Sequence, residues 1–428
     1  MRCAIVVAWC VALTSSAFAD DHDPLAADAL RRNTELVKQG FNFTHRVTAD
    51  VAATVEWIVQ PSPDPVEIAV WFGTARGSLA VRIVGPKGEV LEHWDAGSGS
   101  SHISRALPPG RYVVEVKPTG GALAQGVVGV KGPILGVCSL DPRATEHAAD
   151  PAHGFSWPYL LLAPKPEASS ATLLVVPNNT GFATDDLGLI RTSAACQLAS
   201  VLELADRLGT PVLVPMFPRP PAKADDLYVQ ALSRDTLMTR TTALARVDLQ
   251  LVAMIDDARA KSGGVIRPRV LIEGFSAAGM FTNRFALLHP DRTLAAAVGS
   301  PGGWPIAPLV SDGGEALPYP IGIADVEALT KQPIDLTALQ RVAFVFFLGE
   351  DDHNDSVVFR DSFSTTDEAL VMRRFGKTPA ERWAAAERLY HHAKLHATFK
   401  LYPGVGHEVT AAMRAEIEAT FRAALADP

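Results

Sequence analysis

The stretch from Val270 to Leu288 reads VLIEGFSAAGMFTNRFALL and decides how the second half of this 428-residue chain is interpreted. It opens with the predicted strand Val270–Glu273, passes through small residues around Ser276, and continues with helical apolar spacing. Strand, tight turn with a central serine, and helix are the elements of a nucleophile elbow, which lifts the serine Oγ out of the sheet. Ala278 stands where the G-x-S-x-G pattern has its second glycine, and Gly279 follows one position later. An ordinary turn of small residues is the alternative interpretation.

Strands and helical patterns alternate on both sides of this elbow, from about residue 132 to the C-terminus. The other apolar runs are Ala171–Val176, Pro211–Pro215 and Val342–Leu348, and the helical stretches include Ser193–Leu208, Leu244–Ala260, Pro379–Lys394 and Val409–Leu425. Near-continuous apolar strands between helices indicate a mostly parallel α/β sheet covered on both faces. Ligands bind beyond the carboxyl ends of the strands in such sheets, so the residues that follow each strand carry the most information.

Two further strands are followed by residues that could complete a catalytic set with Ser276. The strand Val342–Leu348 runs into the acidic cluster GEDDHND at Gly349–Asp355, and a later strand leads to His407 in the loop PGVGHE. Taken singly, such a cluster is typical of a solvated loop, and a lone histidine indicates little. The chain order serine, acid, histidine, each just past a strand, fits the α/β-hydrolase arrangement.

These motifs resemble those of the α/β-hydrolase superfamily. Within it, the stretch Gly274–Pro290 is similar to secreted polyhydroxybutyrate-depolymerase-like and feruloyl-type serine esterases. The resemblance runs from about Gly154 to the C-terminus and leaves the N-terminal region out. It implies a serine hydrolase that cleaves a small-molecule or polymeric carboxylic ester through an acyl-enzyme, without a cofactor or metal.

The resemblance also assigns roles to particular residues. It implies Ser276 as the nucleophile, His407 as the general base and then acid, and Asp352 as the carboxylate that orients His407. Asp352 is favoured because it is the last residue of the G-x-x-D that follows the most apolar strand. Asp355 is the better substitute for it, and Asp351 is also possible.

An oxyanion hole needs two backbone amides beside the nucleophile. We expect one from Ala277 and one from the loop PNNTG after the run Ala171–Val176, with Asn179 preferred and Asn178 next. This loop lacks the His-Gly pair common in lipases and esterases. An Asn-rich turn without a catalytic role is the competing interpretation.

The N-terminal region has a different rhythm. Short alternating runs such as Val66–Phe72, Leu79–Ile83 and Tyr112–Val116 lie between turn signals such as Pro108-Pro109-Gly110. Several short strands with such punctuation predict a small antiparallel β-sandwich. The region has no cluster of charged residues or histidines that would mark it as catalytic. A structural module is therefore favoured slightly over an accessory domain that shapes or delivers substrate.

The first residues predict export. Met1-Arg2 precedes an apolar run that is too short to span a bilayer, and Ala17-Phe18-Ala19 has the form of a signal-peptidase site. We therefore expect a periplasmic or extracellular protein in which only Cys138 and Cys196 remain, either paired or as two buried thiols. The predicted organisation is a signal peptide at 1–19, a helix or linker at 20–40, the sandwich at 41–132 and the hydrolase domain at 133–428.

Charge and composition exclude other classes. The chain carries 47 acidic and 39 basic residues, a net charge of −8, without a basic block, which argues against binding to nucleic acid or anionic membranes. No stretch after the leader is long and apolar enough to span a membrane.

The sequence leaves two alternatives to an esterase. One is a peptidase or amidase on the same fold, and the other is a non-catalytic binding module. The oligomeric state is left open.

A few other residues are weaker candidates. Trp304 and Tyr319 lie in a Pro/Gly-rich segment. One interpretation is a substrate-binding lid, in which either ring stacks on an acyl or aromatic group, and the other is a packed surface loop. His392 and His396 have a metal-ligand spacing, but no carboxylate or cysteine cluster joins them. The run Asp351–Asp355 has the spacing of a calcium loop without its glycine or terminal glutamate. We therefore predict no metal site.

Overall fold

The computed structural model describes residues 43–49, 52–59, 66–96, 98–105, 107–132, 134–165, 171–179, 183–221, 227–240 and 243–426, together with Arg32, Glu35 and Leu36. The predicted signal peptide and nearly all of the predicted linker lie outside these residues. The described residues form two compact units, the first of those up to Leu140 together with residues 191–200, and the second of the remainder.

The first unit contains one seven-stranded antiparallel sheet. Its strands are β1 (Phe43–Ala49), β2 (Ala53–Val59), β3 (Val66–Val84), β4 (Val90–Ala96), β5 (Ser98–Arg105), β6 (Gly110–Lys131) and β7 (Ile134–Val137). The first part of β3 pairs with β5 and the end of β6, and its second part pairs with β4 and the start of β6. The register shifts between Thr74 and Ser78, where β3 passes from one half of the sheet to the other.

One hydrophobic core contains residues from both parts of β3 and from the strands paired with them. Alternate residues of β3, from Val66 to Phe72 and from Leu79 to Ile83, are buried, as the period of two in a half-covered strand requires. They pack with Trp57, Tyr112, Val114, Val116, Val128 and Val130. The predicted all-β class is confirmed, although β3 and β6 are long continuous strands where the sequence predicted several short ones.

The second unit is built on an eight-stranded sheet with helices packed against it. Its strands are β8 (Ala144–His147), β9 (Tyr159–Leu162), β10 (Leu174–Val175), β11 (Val212–Pro215), β12 (Val270–Phe275), β13 (Thr293–Gly299), β16 (Ala343–Gly349) and β17 (Ala397–Tyr402), while β14 (Ser311–Asp312) and β15 (Glu315–Ala316) form a separate hairpin. The α-helices are α1 (Leu187–Leu208), α2 (Arg234–Met238), α3 (Val247–Lys261), α4 (Ala277–Leu288), α5 (Val326–Thr330), α6 (Leu336–Leu339), α7 (Ser356–Phe359), α8 (Thr365–Phe375), α9 (Pro379–His392) and α10 (Ala411–Ala426).

The sheet order is β17-β16-β13-β12-β10-β11-β9-β8. All neighbours from β11 through β10 to β17 are parallel, whereas β9 runs antiparallel to both β11 and β8. This is the order and direction of the α/β-hydrolase sheet, and the predicted fold class is confirmed. In β12, Val270 and Ile272 pack in the core that includes α4, and the alternate residues Leu271 and Glu273 are buried as well. Both faces of the sheet are therefore covered.

Local sequence explains where the helices begin and end. The Asp186 carboxylate accepts hydrogen bonds from the amides of Gly188 and Leu189, so α1 begins six residues before the predicted start at Ser193. It ends at Gly209, whose φ of +67° is in the left-handed region. α9 begins with Pro379 at its first position after the Thr378 cap, as the sequence predicts.

A disulfide joins Cys138, just after β7, to Cys196 in the part of α1 that belongs to the first unit. The two Cα atoms are 5.0 Å apart, a separation that a disulfide requires. The sequence left open whether the two cysteines pair or remain free thiols, and the structure shows the pair.

In the part of the chain that the structure describes, no helix combines the length and apolar character needed to cross a membrane.

Candidate active site

Ser276 lies in the sharp turn between β12 and α4. Its φ of +61° and ψ of −125° are outside the regions that L-residues normally adopt, so the backbone is strained there. The turn is held by two backbone hydrogen bonds of 3.0 Å, from the Ser276 amide to the Gly299 carbonyl and from the Met280 amide to the Ser276 carbonyl. The side chain is half-buried at the carboxyl edge of the sheet, where the sequence predicts the nucleophile.

The small residues around Ser276 allow α4 to approach the sheet closely. A Cβ on Gly274 would lie 2.2 Å from the Ala278 carbonyl oxygen, and a Cβ on Gly279 would lie 2.2 Å from the Gly299 carbonyl oxygen. Gly279 therefore makes the close approach of helix to neighbouring strand. Ala278, which stands at the second glycine position of G-x-S-x-G, is itself buried.

Asp352, which is buried, and His407, which is half-buried, form a hydrogen-bonded pair beside this turn. The Nδ1 of His407 lies 2.9 Å from Oδ2 of Asp352, and only 1% of the Asp352 side chain is exposed. Burial alone raises the pKa of Asp352, but the hydrogen bond and charge of His407, together with the hydrogen bond from the Asn354 backbone amide, bring that pKa below its ordinary value. Asp352 is therefore ionised at neutral pH and accepts the Nδ1 proton of His407.

Close packing brings the loops after β16 and β17 together. A Cβ on Gly349 would lie 2.2 Å from the Val405 carbonyl oxygen and 2.4 Å from that of Gly406, so only glycine fits there. The Asp351 amide donates to the Val405 carbonyl at 2.9 Å, which ties the two loops directly. The imidazole of His407 also packs on the Phe275 ring, with 4.6 Å between ring centroids.

Asn354 contacts all three predicted triad members. Its backbone amide donates to Asp352 Oδ1 at 2.9 Å, and its side-chain Nδ2 lies 2.8 Å from His407 Nε2 and 3.3 Å from Ser276 Oγ. Within the described residues, no direct hydrogen bond joins Ser276 to His407. Sequence reasoning missed Asn354, because a neutral amide inside an acidic loop carries no local signature of such a contact.

The two alternative carboxylates are placed differently. Asp355 forms a buried ion pair with Arg382 at 2.8 Å and accepts a hydrogen bond from the Val357 amide at 3.1 Å, which caps α7. Asp351 is exposed. Of the three candidate acids, only Asp352 contacts His407.

The predicted oxyanion-hole residues lie on the expected elements. Ala277 occupies the first position of α4, where helix amides are not used by the helix itself. The buried Asn178 side chain bridges the backbone of Phe217, donating to its carbonyl at 2.9 Å and accepting from its amide at 3.0 Å. Asn179 follows and is half-buried, and residues 180–182 are outside the described part. The oxyanion roles of the Ala277 and Asn179 amides stay predictions.

The two aromatic residues predicted to stack on a substrate are in the interior instead. Trp304 and Tyr319 are each 1% exposed. The Trp304 ring stacks on Phe375 with 4.3 Å between centroids, and its Nε1 donates to the Ile321 carbonyl. The Tyr319 hydroxyl donates to the Leu232 carbonyl. Because their faces and polar atoms are used by the core, this placement contradicts the predicted stacking role and fits a packed segment.

His392 and His396, the histidines with metal-ligand spacing, are both exposed. Across the described ranges, His, Cys, Asp and Glu side chains form no group of three or more that could hold a metal ion.

Comparisons with known proteins give no family assignment. No protein-family model matches the chain, and no curated protein matches it. Solved structures do match. A poly(aspartic acid) hydrolase-1 from Sphingomonas sp. KT-1 is 19% identical with a TM-score of 0.43, covering 67% of this chain and 99% of its own. A thermostable esterase is 14% identical (TM-score 0.40; 87% and 94% covered), as is an S-formylglutathione hydrolase from Agrobacterium tumefaciens (TM-score 0.37; 66% and 94% covered).

Proposed function

We propose that this chain is an exported serine hydrolase that cleaves carboxylic esters through an acyl-enzyme intermediate. The observation that carries the proposal is the 2.9 Å contact between buried Asp352 and His407, beside a strained serine turn at the carboxyl edge of the sheet. Backbone strain of this kind persists where the surrounding fold imposes it, and it clusters at functional sites. No cofactor or metal is part of the proposal.

The proposed reaction has two halves, acylation of Ser276 and hydrolysis of the acyl-enzyme, and His407 acts as base and then as acid in each half. Ser276 Oγ attacks the ester carbonyl carbon while its proton passes to His407 Nε2, and the carbonyl electron pair moves onto oxygen. As the intermediate collapses, the ester C–O bond breaks and His407 donates the proton to the leaving alcohol. Water then attacks the acyl-enzyme with the same proton transfers, which regenerates Ser276. The ionised Asp352 stabilises the imidazolium that forms in both halves.

The test combines hydrolysis, covalent labelling and thermal melting on the chain that begins at Asp20. Ser276→Ala removes one oxygen from a half-exposed position, so its melting temperature should match the wild type. Ester hydrolysis should collapse to the residual level of roughly a thousandfold over water that the oxyanion hole and binding provide. Labelling by a fluorophosphonate should be lost in Ser276→Ala and kept in Ser311→Ala, which changes an exposed serine.

The same experiment separates the alternatives. A folded Ser276→Ala protein with near-normal hydrolysis contradicts the proposal. A wild-type protein that is not labelled and cleaves no ester favours a non-catalytic binding module. Cleavage of a peptide in preference to a short-chain ester would move the activity to a peptidase or amidase on the same fold.

A further inference from the structure

The geometry at His407 leaves a single acceptor site on its second ring nitrogen. In a neutral imidazole, the ring nitrogen without the proton accepts through one in-plane lone pair, and with Nδ1 donating to Asp352 that nitrogen is Nε2. The Asn354 amide nitrogen lies 2.8 Å from Nε2, at the centre of the hydrogen-bonding range, and therefore donates to that lone pair. The atom that must accept the Ser276 proton is occupied by another donor.

The Asn354 amide also reaches the nucleophile. Its Nδ2 lies 3.3 Å from Ser276 Oγ, which accepts a hydrogen bond there instead of donating its own proton to His407. The amide group thus stands between nucleophile and base. Hydrogen bonds in unliganded active sites are often incomplete and tighten only when substrate binds, but here a specific side chain fills the gap.

The backbone on both sides of Asn354 is anchored, so only its side chain has to move. Asp352 is held by His407 and also accepts the Asn354 backbone amide at 2.9 Å. Asp355 is held by its buried ion pair with Arg382. The Asn354 side chain, in contrast, is half-buried, and its hydrogen bonds within the described ranges go to Ser276 and His407 alone. Rotation about its own side-chain bonds is enough to uncover Nε2.

We propose that Asn354 is a displaceable positioning residue, whose amide holds Ser276 and His407 apart at rest and rotates away when an ester enters. This inference rests on the proposed serine-hydrolase function. The rotation breaks the N–H···N hydrogen bond to His407 and the longer N–H···O hydrogen bond to Ser276, and it forms no covalent bond. Ser276 then donates to the free Nε2, and its proton transfers as Oγ attacks the carbonyl carbon.

The resting contact has a consequence for kinetics. A substrate that must break the Asn354–His407 hydrogen bond binds less tightly by the strength of that bond, and the chemical step after displacement is unchanged. Asn354→Ala should therefore lower KM by about 3- to 10-fold, as expected for the loss of one hydrogen bond, and leave kcat nearly constant. The fluorophosphonate should label Ser276 faster by a similar factor.

Asn354→Asp is the informative second variant. The carboxylate has the same shape but cannot donate to Nε2, and its negative charge stabilises a proton on that nitrogen. Labelling of this variant should be slower than in the wild type. The control is His353→Ala, which changes the adjacent exposed residue of the same loop and should leave labelling, KM and kcat unchanged.

The measurements are labelling rates, KM and kcat for a short-chain ester, and melting temperatures for all variants. Slower labelling and lower kcat in Asn354→Ala would show that the amide supports the imidazole during the reaction and would overturn the displacement proposal. Unchanged kinetics would overturn it as well. If wild-type labelling is absent or survives Ser276→Ala, the proposed function has failed and not this inference alone.

A structural measurement on the wild-type enzyme needs no variant to fold. In the crystal structure of the phosphonylated protein, the Asn354 side chain should have rotated away, so that Nε2 of His407 faces a phosphonate oxygen. An Asn354 amide that still donates to Nε2 beside the phosphonylated Ser276 would refute the displacement.

Discussion

The buried carboxyl of Glu273 should make the stability of the second unit fall as pH rises. Glu273 lies on β12, three residues before Ser276, and is 9% exposed. Among the described residues its Oε2 has no hydrogen-bond partner, and Arg414 of α10 exerts only a long-range attraction. Burial raises the pKa of Glu273 to about 7, and Arg414 offsets part of that increase.

The sign and size of the effect follow from linkage. The ordinary pKa of a glutamate is 4.5, so the folded protein holds this proton more tightly than the unfolded chain between pH 4.5 and about 7. The contribution is fully present below pH 4.5 and is lost as pH rises through about 7. Raising the pKa of Glu273 from 4.5 to about 7 corresponds to about 3 kcal/mol of unfolding free energy.

The assay is urea unfolding at pH 5 and pH 8 for wild type and Glu273→Gln. Glutamine keeps the shape and stays neutral, so the variant should lose up to about 3 kcal/mol less than the wild type between the two pH values. Glu327→Gln, which changes an exposed carboxyl, should follow the wild type. Equal pH dependence of wild type and Glu273→Gln would refute the argument, because the buried carboxyl would then carry no titration of its own.

Three further predictions test the site and the covalent link. Asp352→Asn should lower turnover by about four orders of magnitude with the fold intact, whereas Asp355→Asn should cost about 3 kcal/mol or more of unfolding free energy because it leaves a buried arginine unpaired; the reverse pattern in kinetics and melting would exchange their roles. Gly349→Ala should lower kcat, since its Cβ would push the His407 loop away, whereas Gly406→Ala, whose Cβ meets its first neighbour at 4.0 Å, should be tolerated; equal kinetics for both would contradict this. Reducing the disulfide, which spans 58 residues, should cost about 4 kcal/mol in a chain-entropy account, measured by denaturant unfolding with and without reductant, and no change would contradict it.

The sequence was informative where residues follow strands directly. Ser276, Asp352 and His407 are far apart in the chain, but each comes just after a parallel strand, and parallel strands place their carboxyl ends at one edge of the sheet. Their meeting was therefore predictable from strand positions alone. The choice of Asp352 over Asp355 was not, since three residues of loop can turn either way, and the choice rested on a resemblance.

Contacts that depend on loop paths could not be predicted. Trp304 and Tyr319 lie in a Pro/Gly-rich segment, a composition typical of exposed loops, and nothing local indicates that carbonyls of Ile321 and Leu232 satisfy their polar atoms in the interior. Asn354 was missed because its contacts also depend on the path of another loop. Its importance lies in where the neighbouring loop places an imidazole, which is a tertiary property.

Two locally unfavourable features lie within one stretch of four residues at the end of β12, from Glu273 to Ser276. Ser276 has a positive φ that costs an L-residue of order 1–3 kcal/mol, and Glu273 buries a carboxyl oxygen without a hydrogen-bond partner among the described residues. Natural sequences generally keep local preference and global fold consistent, and the exceptions concentrate at functional sites. The surrounding apolar residues of β12 and α4 offset the strain at the turn, because they fix the strand and helix on either side. The packed elements therefore hold Ser276 in position, while the Asn354 side chain, which we propose moves when substrate enters, is half-buried in a loop, the kind of element that usually opens at low cost.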